Sequence, residues 1–341
     1  MTVDDTKQPD RQLSPAADPE SVSGFVARVL NQLSISAWLP GAFLIASLIS
    51  LGWFWKSGEV SFSGIGSFIQ VNWIPVLILA LPALVIATLL TQAFSFEAIR
   101  ALEGYWGHHG PASVLRSLGI RYQLARQRGL KMRQRKTLVT AFQRTKSRLS
   151  ERRVDGLVLL AIENDLALVP RPPDLTENQH EEADELQLQW VKYCEPWDNA
   201  KLTRFELELK EFPEHSRIMP TKLGNILRTT EDRLRNTNGD LEGFVMAHRG
   251  VASARVLEHH DQFRTRLDMY CMLVFVAATA ALVSLPLLWG MPILGQIAVP
   301  LALVAVSWAS YRAALSSARG YVTTLRQIDA AALAALGSKT S

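Results

Sequence analysis

Between Asp268 and Arg312 the chain has no Asp, Glu, Lys or Arg. Nothing in that interval would hold it in water. It is long enough for two helices of about 20 residues, each able to cross a hydrocarbon layer about 30 Å thick. Cysteine is nearly absent as well: only Cys194 and Cys271 occur in 341 residues. Two such distant thiols exclude a disulfide framework, and no CxxC or paired-cysteine zinc spacing is present. Also missing are HExxH, a nucleophile elbow, a kinase motif set and a glycine-rich phosphate loop with its Lys-Ser/Thr pair. The first 36 residues lack an apolar core followed by a small-residue cleavage site, so no cleavable signal peptide is expected.

Two further apolar runs are present. The first is expected to span 37–55, with Trp38, Trp53 and Trp55 near its ends, where indole rings favour the headgroup region. The second is expected over 71–96, with Pro75 near its start and Pro82 as a candidate kink. The glycine-bearing stretch between them, with Gly58, Gly64 and Gly66, reads as a loop. Thr88, Thr91 and Gln92 are positioned to hydrogen-bond a neighbouring helix or, on a sharper reading, to line a pore. Cys271 inside a span reads as inert packing. The third and fourth spans are expected over 269–289 and 293–311, with the turn at Gly290-Met291-Pro292. The fold class expected is an all-α membrane protein in which two transmembrane helical hairpins flank a mainly helical cytoplasmic domain.

The full division is a disordered tail over 1–20, then an amphipathic lead-in and first hairpin over 21–96. The cytoplasmic domain covers 97–267, the second hairpin 268–311 and a tail helix 312–341. Val22, Phe25, Val26, Val29 and Leu30 in the lead-in recur at helical spacing, which suits either a membrane-surface helix or the start of the first span. In the tail helix, Tyr311, Ala314, Ala318, Tyr321 and Leu325 recur at spacings of three and four.

Charged residues make up 20% of the chain and the net charge is +4. That mild figure conceals two opposed regions. Residues 97–155 hold fourteen Lys and Arg against four Asp and Glu, whereas residues 156–217 hold six basic against fourteen acidic residues. The loops on the opposite side of the spans carry almost no positive charge. By the positive-inside rule the basic region and both termini face the cytoplasm, in a multi-pass inner-membrane protein. The basic part reads as two helices separated near Gly129. Leu115, Leu118, Tyr122 and Leu124 lie near a face of the first. Leu138, Val139, Phe142 and Leu149 lie near a face of the second. The stretch 116–153 could lie on anionic lipid, pair with the acidic part, or remain solvated. One aromatic between Arg116 and Lys136, and no binding motif, argue against nucleic acid.

Candidate chemistry is sparse. Glu258-His259-His260-Asp261 is the best metal candidate, but adjacent helical residues point apart, so no metal site is assigned. His108-His109 lies in an expected loop. Glu211 and Glu214-His215 flank Pro213, which also favours a loop.

The most distinctive run is Pro220-Thr221-Lys222-Leu223-Gly224-Asn225 with Arg228. Thr221 is a good N-cap, and Leu223, Ile226, Leu227 and Leu234 form an apolar stripe. Glycine in a helix costs about 1 kcal/mol relative to alanine, so Gly224 implies close approach of another backbone or of the bilayer. Asn225 is placed to hydrogen-bond that neighbour. These seven residues form the candidate interaction motif; a packing helix is favoured over a ligand site. The run PTKLGNILRTTED resembles a PTRLGN-type motif of uncharacterised bacterial membrane proteins with four predicted spans. Leu102 to Gly107, Asp268 and the tail from Tyr311 to Tyr321 fit that resemblance, which is patchy across 112–200. It implies architecture and no activity. Lys222 stands where that motif has Arg, which weakens any bidentate anion contact.

The function these features suggest is a non-enzymatic membrane-anchored scaffold or sensor with a cytoplasmic partner-binding domain, acting with a protein partner or as a homo-oligomer. An oligomeric channel or transporter component is the first alternative. A membrane-bound enzyme with a site near 221–228 is the second. No cofactor is implied.

Overall fold

The structure is a computed structural model and describes residues 35–107, 110–152, 156, 158, 192–234 and 240–340. The expected 1–20 tail, the amphipathic lead-in over 21–30, the His108-His109 pair and most of the acidic 156–191 segment lie outside the described residues. Every long regular element among the described residues is an α-helix. In chain order these are α1 (Ile35–Ser57), α2 (Phe62–Val71), α3 (Trp73–Ala93), α4 (Ser95–Glu103), α5 (Pro111–Glu151), α6 (Pro196–Leu209), α7 (Lys222–Arg233), α8 (Leu241–His248), α9 (Ala254–Leu287) and α10 (Ile293–Thr340).

Four of them, α1, α3, α9 and α10, are long and apolar enough to cross a membrane. Helix α1 packs against α3 and α9, and α9 packs along α10. Along their membrane-length stretches the outward-facing side chains are mostly apolar. On α3, Ile78, Leu79, Ile86 and Leu89 are exposed, and on α10 Leu294, Ile297, Leu301 and Trp308 are exposed. Apolar area on this scale is far beyond the patches a soluble monomer shows to water, and lipid is the solvent that matches it. The inner side of α9 is lined by Ala277, Ala280, Ala281 and Ser284, all buried. These small residues are therefore used within the chain, where they allow close helix contact.

Four expectations change. The stretch expected as a glycine loop contains a ten-residue helix, α2. Its apolar positions Ile65, Phe68 and Ile69 recur at three- and four-residue spacing, and that pattern outweighs two helix-weakening glycines. The second apolar run divides at Phe94, where α3 stops and α4 begins, while Pro82 is accommodated inside α3. The Thr91 hydroxyl donates to the carbonyl of Thr88 in its own helix at 3.0 Å, so it satisfies itself and serves no neighbour. Finally, Gly129 does not break the basic region. Helix α5 runs 41 residues through it, because one glycine costs about 1 kcal/mol and both flanks are strong helix formers.

Helices α9 and α10 extend well past their apolar parts. At about 1.5 Å per residue, the 34 residues of α9 and the 48 of α10 reach roughly 50 and 70 Å. The tail residues 312–340 continue the fourth membrane-length helix without a break. Their polar ends, with α4, α7 and α8, enclose the main core. Ile99, Leu223, Ile226, Leu227, Phe244, Leu267, Ala318, Tyr321, Leu325 and Ile328 are buried there together. Cys271 is fully buried at its edge. A smaller core, Ala141, Phe142 and Leu149, joins the far end of α5 to the region of α6.

Candidate functional site

The Pro220–Arg228 run sits where α4 leaves the second membrane-length helix. Thr221 has extended backbone angles, and its side chain accepts from the Gly224 N–H at 3.0 Å, capping α7. The same hydroxyl donates to the Glu103 carbonyl at 2.9 Å, which ties the cap to the end of α4. Asn225 is buried, and its Oδ1 accepts from the Met219 N–H at 2.8 Å, closing the turn that precedes α7. The stripe Leu223, Ile226, Leu227 and Leu234 faces the main core. Tyr311 of α10 packs against the same core.

Glycines set how closely these parts approach. A Cβ on Gly224 would lie 2.0 Å from the Glu103 carbonyl oxygen, so backbone touches backbone there. Pro220 is wedged between Gly104 and Gly119. A Cβ on Gly104 would come within 2.2 Å of the proline ring, and one on Gly119 within 2.6 Å. Gly104 also has φ +98°, the left-handed conformation that ends α4 and that side-chain-bearing residues seldom adopt.

Two ion-pair groups flank this interlock. Glu211 binds Lys222 at 3.1 Å and Arg319 of α10 at 2.6 Å, and its carbonyl accepts from Thr229 at 3.1 Å. Burial pushes the Lys222 ammonium pKa down, and Glu211 pulls it back. Arg228 pairs with Glu231 at 2.7 Å, which Arg217 also approaches. The seven motif residues are thus brought together, but as a joint: each contacts the chain itself. Deeper in, the ends of α8, α9 and α10 meet. Arg264 lies 3.5 Å from Glu242 and 3.4 Å from Asp268, and the Tyr321 hydroxyl donates to Glu242 at 2.8 Å. Glu103 belongs to the same electrostatic group. Burial pushes its carboxyl up to about 7, Arg264 opposes that, and Glu231 adds to it.

Sequence reasoning missed this half-buried charged group because its members lie on four separate helices. The one local signal was an acidic residue, Glu103, at the end of an apolar stretch and directly before a glycine.

The other histidine and carboxylate candidates do not converge. His260 is buried and contacts its neighbour Asp261 at 3.0 Å, while His259 is exposed. No cluster of three or more metal-ligating side chains occurs among the described residues.

A surface groove of about 660 Å³ opens beside the joint, between α6, α7 and α10. Leu207, Ile226 and Val322 contribute apolar surface, and Arg204, Arg319 and Arg326 line its edges. Arg204 and Arg319 have carboxylate partners. Arg326 pairs with no described carboxylate; burial, and then the positive charge of Arg326, push the Arg233 pKa down. Such an arrangement can hold an anionic, partly apolar group. No protein-family model matches the chain, no curated protein is significantly similar to it, and no solved structure is either.

Proposed function

We propose that this chain is a multi-pass inner-membrane scaffold or sensor, non-enzymatic, that presents a rigid helical body to a protein partner on the cytoplasmic side. The observation that carries this reading is the arginine-edged apolar groove on α6, α7 and α10. One of its walls is a helix that runs unbroken into a membrane-length apolar segment. A partner held there would be fixed relative to the bilayer without a flexible linker. Charge supports the orientation: fourteen basic residues lie between 97 and 155, and both termini then lie on that side. The joint around Pro220–Arg228 supports it too, since it holds the groove's walls to the end of α4. The partner's matching segment would carry apolar residues and carboxylates, because exposed Leu207 and Arg326, which has no described carboxylate partner, favour that chemistry.

The test is photo-crosslinking in native membranes with a photoreactive phenylalanine at Leu207 of the full chain. A discrete adduct that Arg326→Glu removes, with the protein still accumulating, is the expected result. Absence of any adduct at Leu207, while a crosslinker at Leu79 labels lipid, overturns the reading.

A further inference from the structure

Helix α5 carries two kinds of cation. Arg126, Arg144 and Arg148 face the body of the protein and pair with Glu208, Asp198 and Glu195. Arg121, Arg128, Lys131, Arg133, Arg135 and Lys136 are exposed and pair with no described carboxylate. Apolar residues divide in the same way. Leu130, Ala141 and Phe142 are buried, whereas Val114, Leu118, Tyr122 and Met132 are 54–75% exposed on the other side of the helix. The helix therefore has a second amphipathic face that no described residue covers.

Its place in the chain says what covers it. Helix α4 follows the membrane-length α3 after one residue, and α5 starts eight residues after Glu103. Phe94 and Phe96 at the α3–α4 junction are both 59% exposed, so outward apolar surface continues from the span toward the start of α5.

We propose that the first half of α5 lies on the surface of the same bilayer that the apolar helices cross. Val114, Leu118 and Tyr122 enter its acyl boundary, and the exposed arginines and lysines contact acidic phospholipid headgroups. A face with apolar and cationic residues together binds anionic membrane by both terms at once. The inference rests on the membrane reading of α1, α3, α9 and α10.

The experiment uses the full chain with Cys194→Ser and Cys271→Ala, and one new cysteine, Leu118→Cys, carrying a nitroxide. It is placed in lipid nanodiscs of phosphatidylcholine alone or with about a third phosphatidylglycerol, near the anionic content of a cytoplasmic leaflet. Accessibility to oxygen and to a water-soluble nickel chelate is read for this label and for labels at Ser147 and Leu79. The expected result is a Leu118 label that turns from nickel-accessible to oxygen-accessible in the anionic discs. Arg121→Gln with Arg128→Gln and Lys131→Gln reverses that shift by about fivefold or more, and raised salt weakens it. The Ser147 label stays in water throughout. A Leu118 label that remains nickel-accessible in both lipids, or is shielded from both reagents in a dimer, overturns the proposal while a lipid-exposed Leu79 label leaves the membrane reading standing. A Leu79 label in water overturns both.

Discussion

Two contacts hold the polar body together, and they differ in kind. At the inner joint, α7 meets α4 through backbone: Gly224 on the Glu103 carbonyl, Pro220 between Gly104 and Gly119, Thr221 bonded to both sides. At the outer one, α5 meets the α6 region through a small apolar cluster rimmed by Arg144–Asp198 and Arg148–Glu195. The first depends on the absence of side-chain atoms and tolerates almost no change in volume. The second depends on arginine side chains that can shift: Arg144 is more than half exposed, although its partner Asp198 is buried. Joints of the first kind fix geometry, and those of the second supply modest, adjustable stability.

Substitution should separate the two. The largest effect is expected from Gly224→Val. The overlap with Glu103 cannot be relieved by a rotamer change, so a loss of about 3 kcal/mol or more is expected. It would be seen as failure to accumulate, or as collapse of the thermal midpoint in detergent. If Gly224→Val were as mild as an outer-joint variant, the contrast would be lost. Next comes Asn225→Ala. It strands the Met219 N–H in a buried place and should cost about 1–3 kcal/mol. Asn225→Asp, which keeps an acceptor oxygen there, tests whether that bond is the cause.

Glu103 sharpens the comparison through pH. Its carboxyl is raised to about 7 from 4.5, so the folded state holds the proton more tightly than the unfolded chain. Its contribution is therefore fully present below about pH 4.5, declines as pH rises toward 7 and is lost above that. Thermal midpoints of Glu103→Gln should show a flatter pH profile through this window and exceed the parent's at pH 8. An unchanged profile would mean that the charge is solvated or fully compensated. The smallest effect is expected from Arg144→Ala at the outer joint, about 1–2 kcal/mol, because buried Asp198 loses its cation but keeps its place in the first turn of α6, with a smaller difference from the parent in high salt.

Much of this architecture was legible in the sequence for one reason. Lipid solvation is a local requirement, met or failed by a run of about 20 residues regardless of the rest of the fold. The charge-free interval from Asp268 to Arg312 needs no tertiary information to be recognised. The cap at Thr221 and the stripe from Leu223 to Leu234 were equally visible, because capping and helical periodicity are properties of neighbours in the chain. The uninterrupted α5 and the helix over Phe62–Val71 were not. In each, weak glycine signals were set against a longer helical pattern, and the pattern prevailed.

By itself the sequence determined that four segments prefer lipid, that one region is strongly basic, and that another backbone or the bilayer approaches closely at Gly224. Only the tertiary structure decided what approaches it there, that Glu211 serves both Lys222 and Arg319, and that Glu103, Arg264, Asp268, Glu242 and Tyr321 share one half-buried neighbourhood. The physical reason is range. Solvent preference and helix capping act over a few residues of chain, whereas the joint and the charged group are assembled from residues more than 100 positions apart, which only packing brings within touching distance.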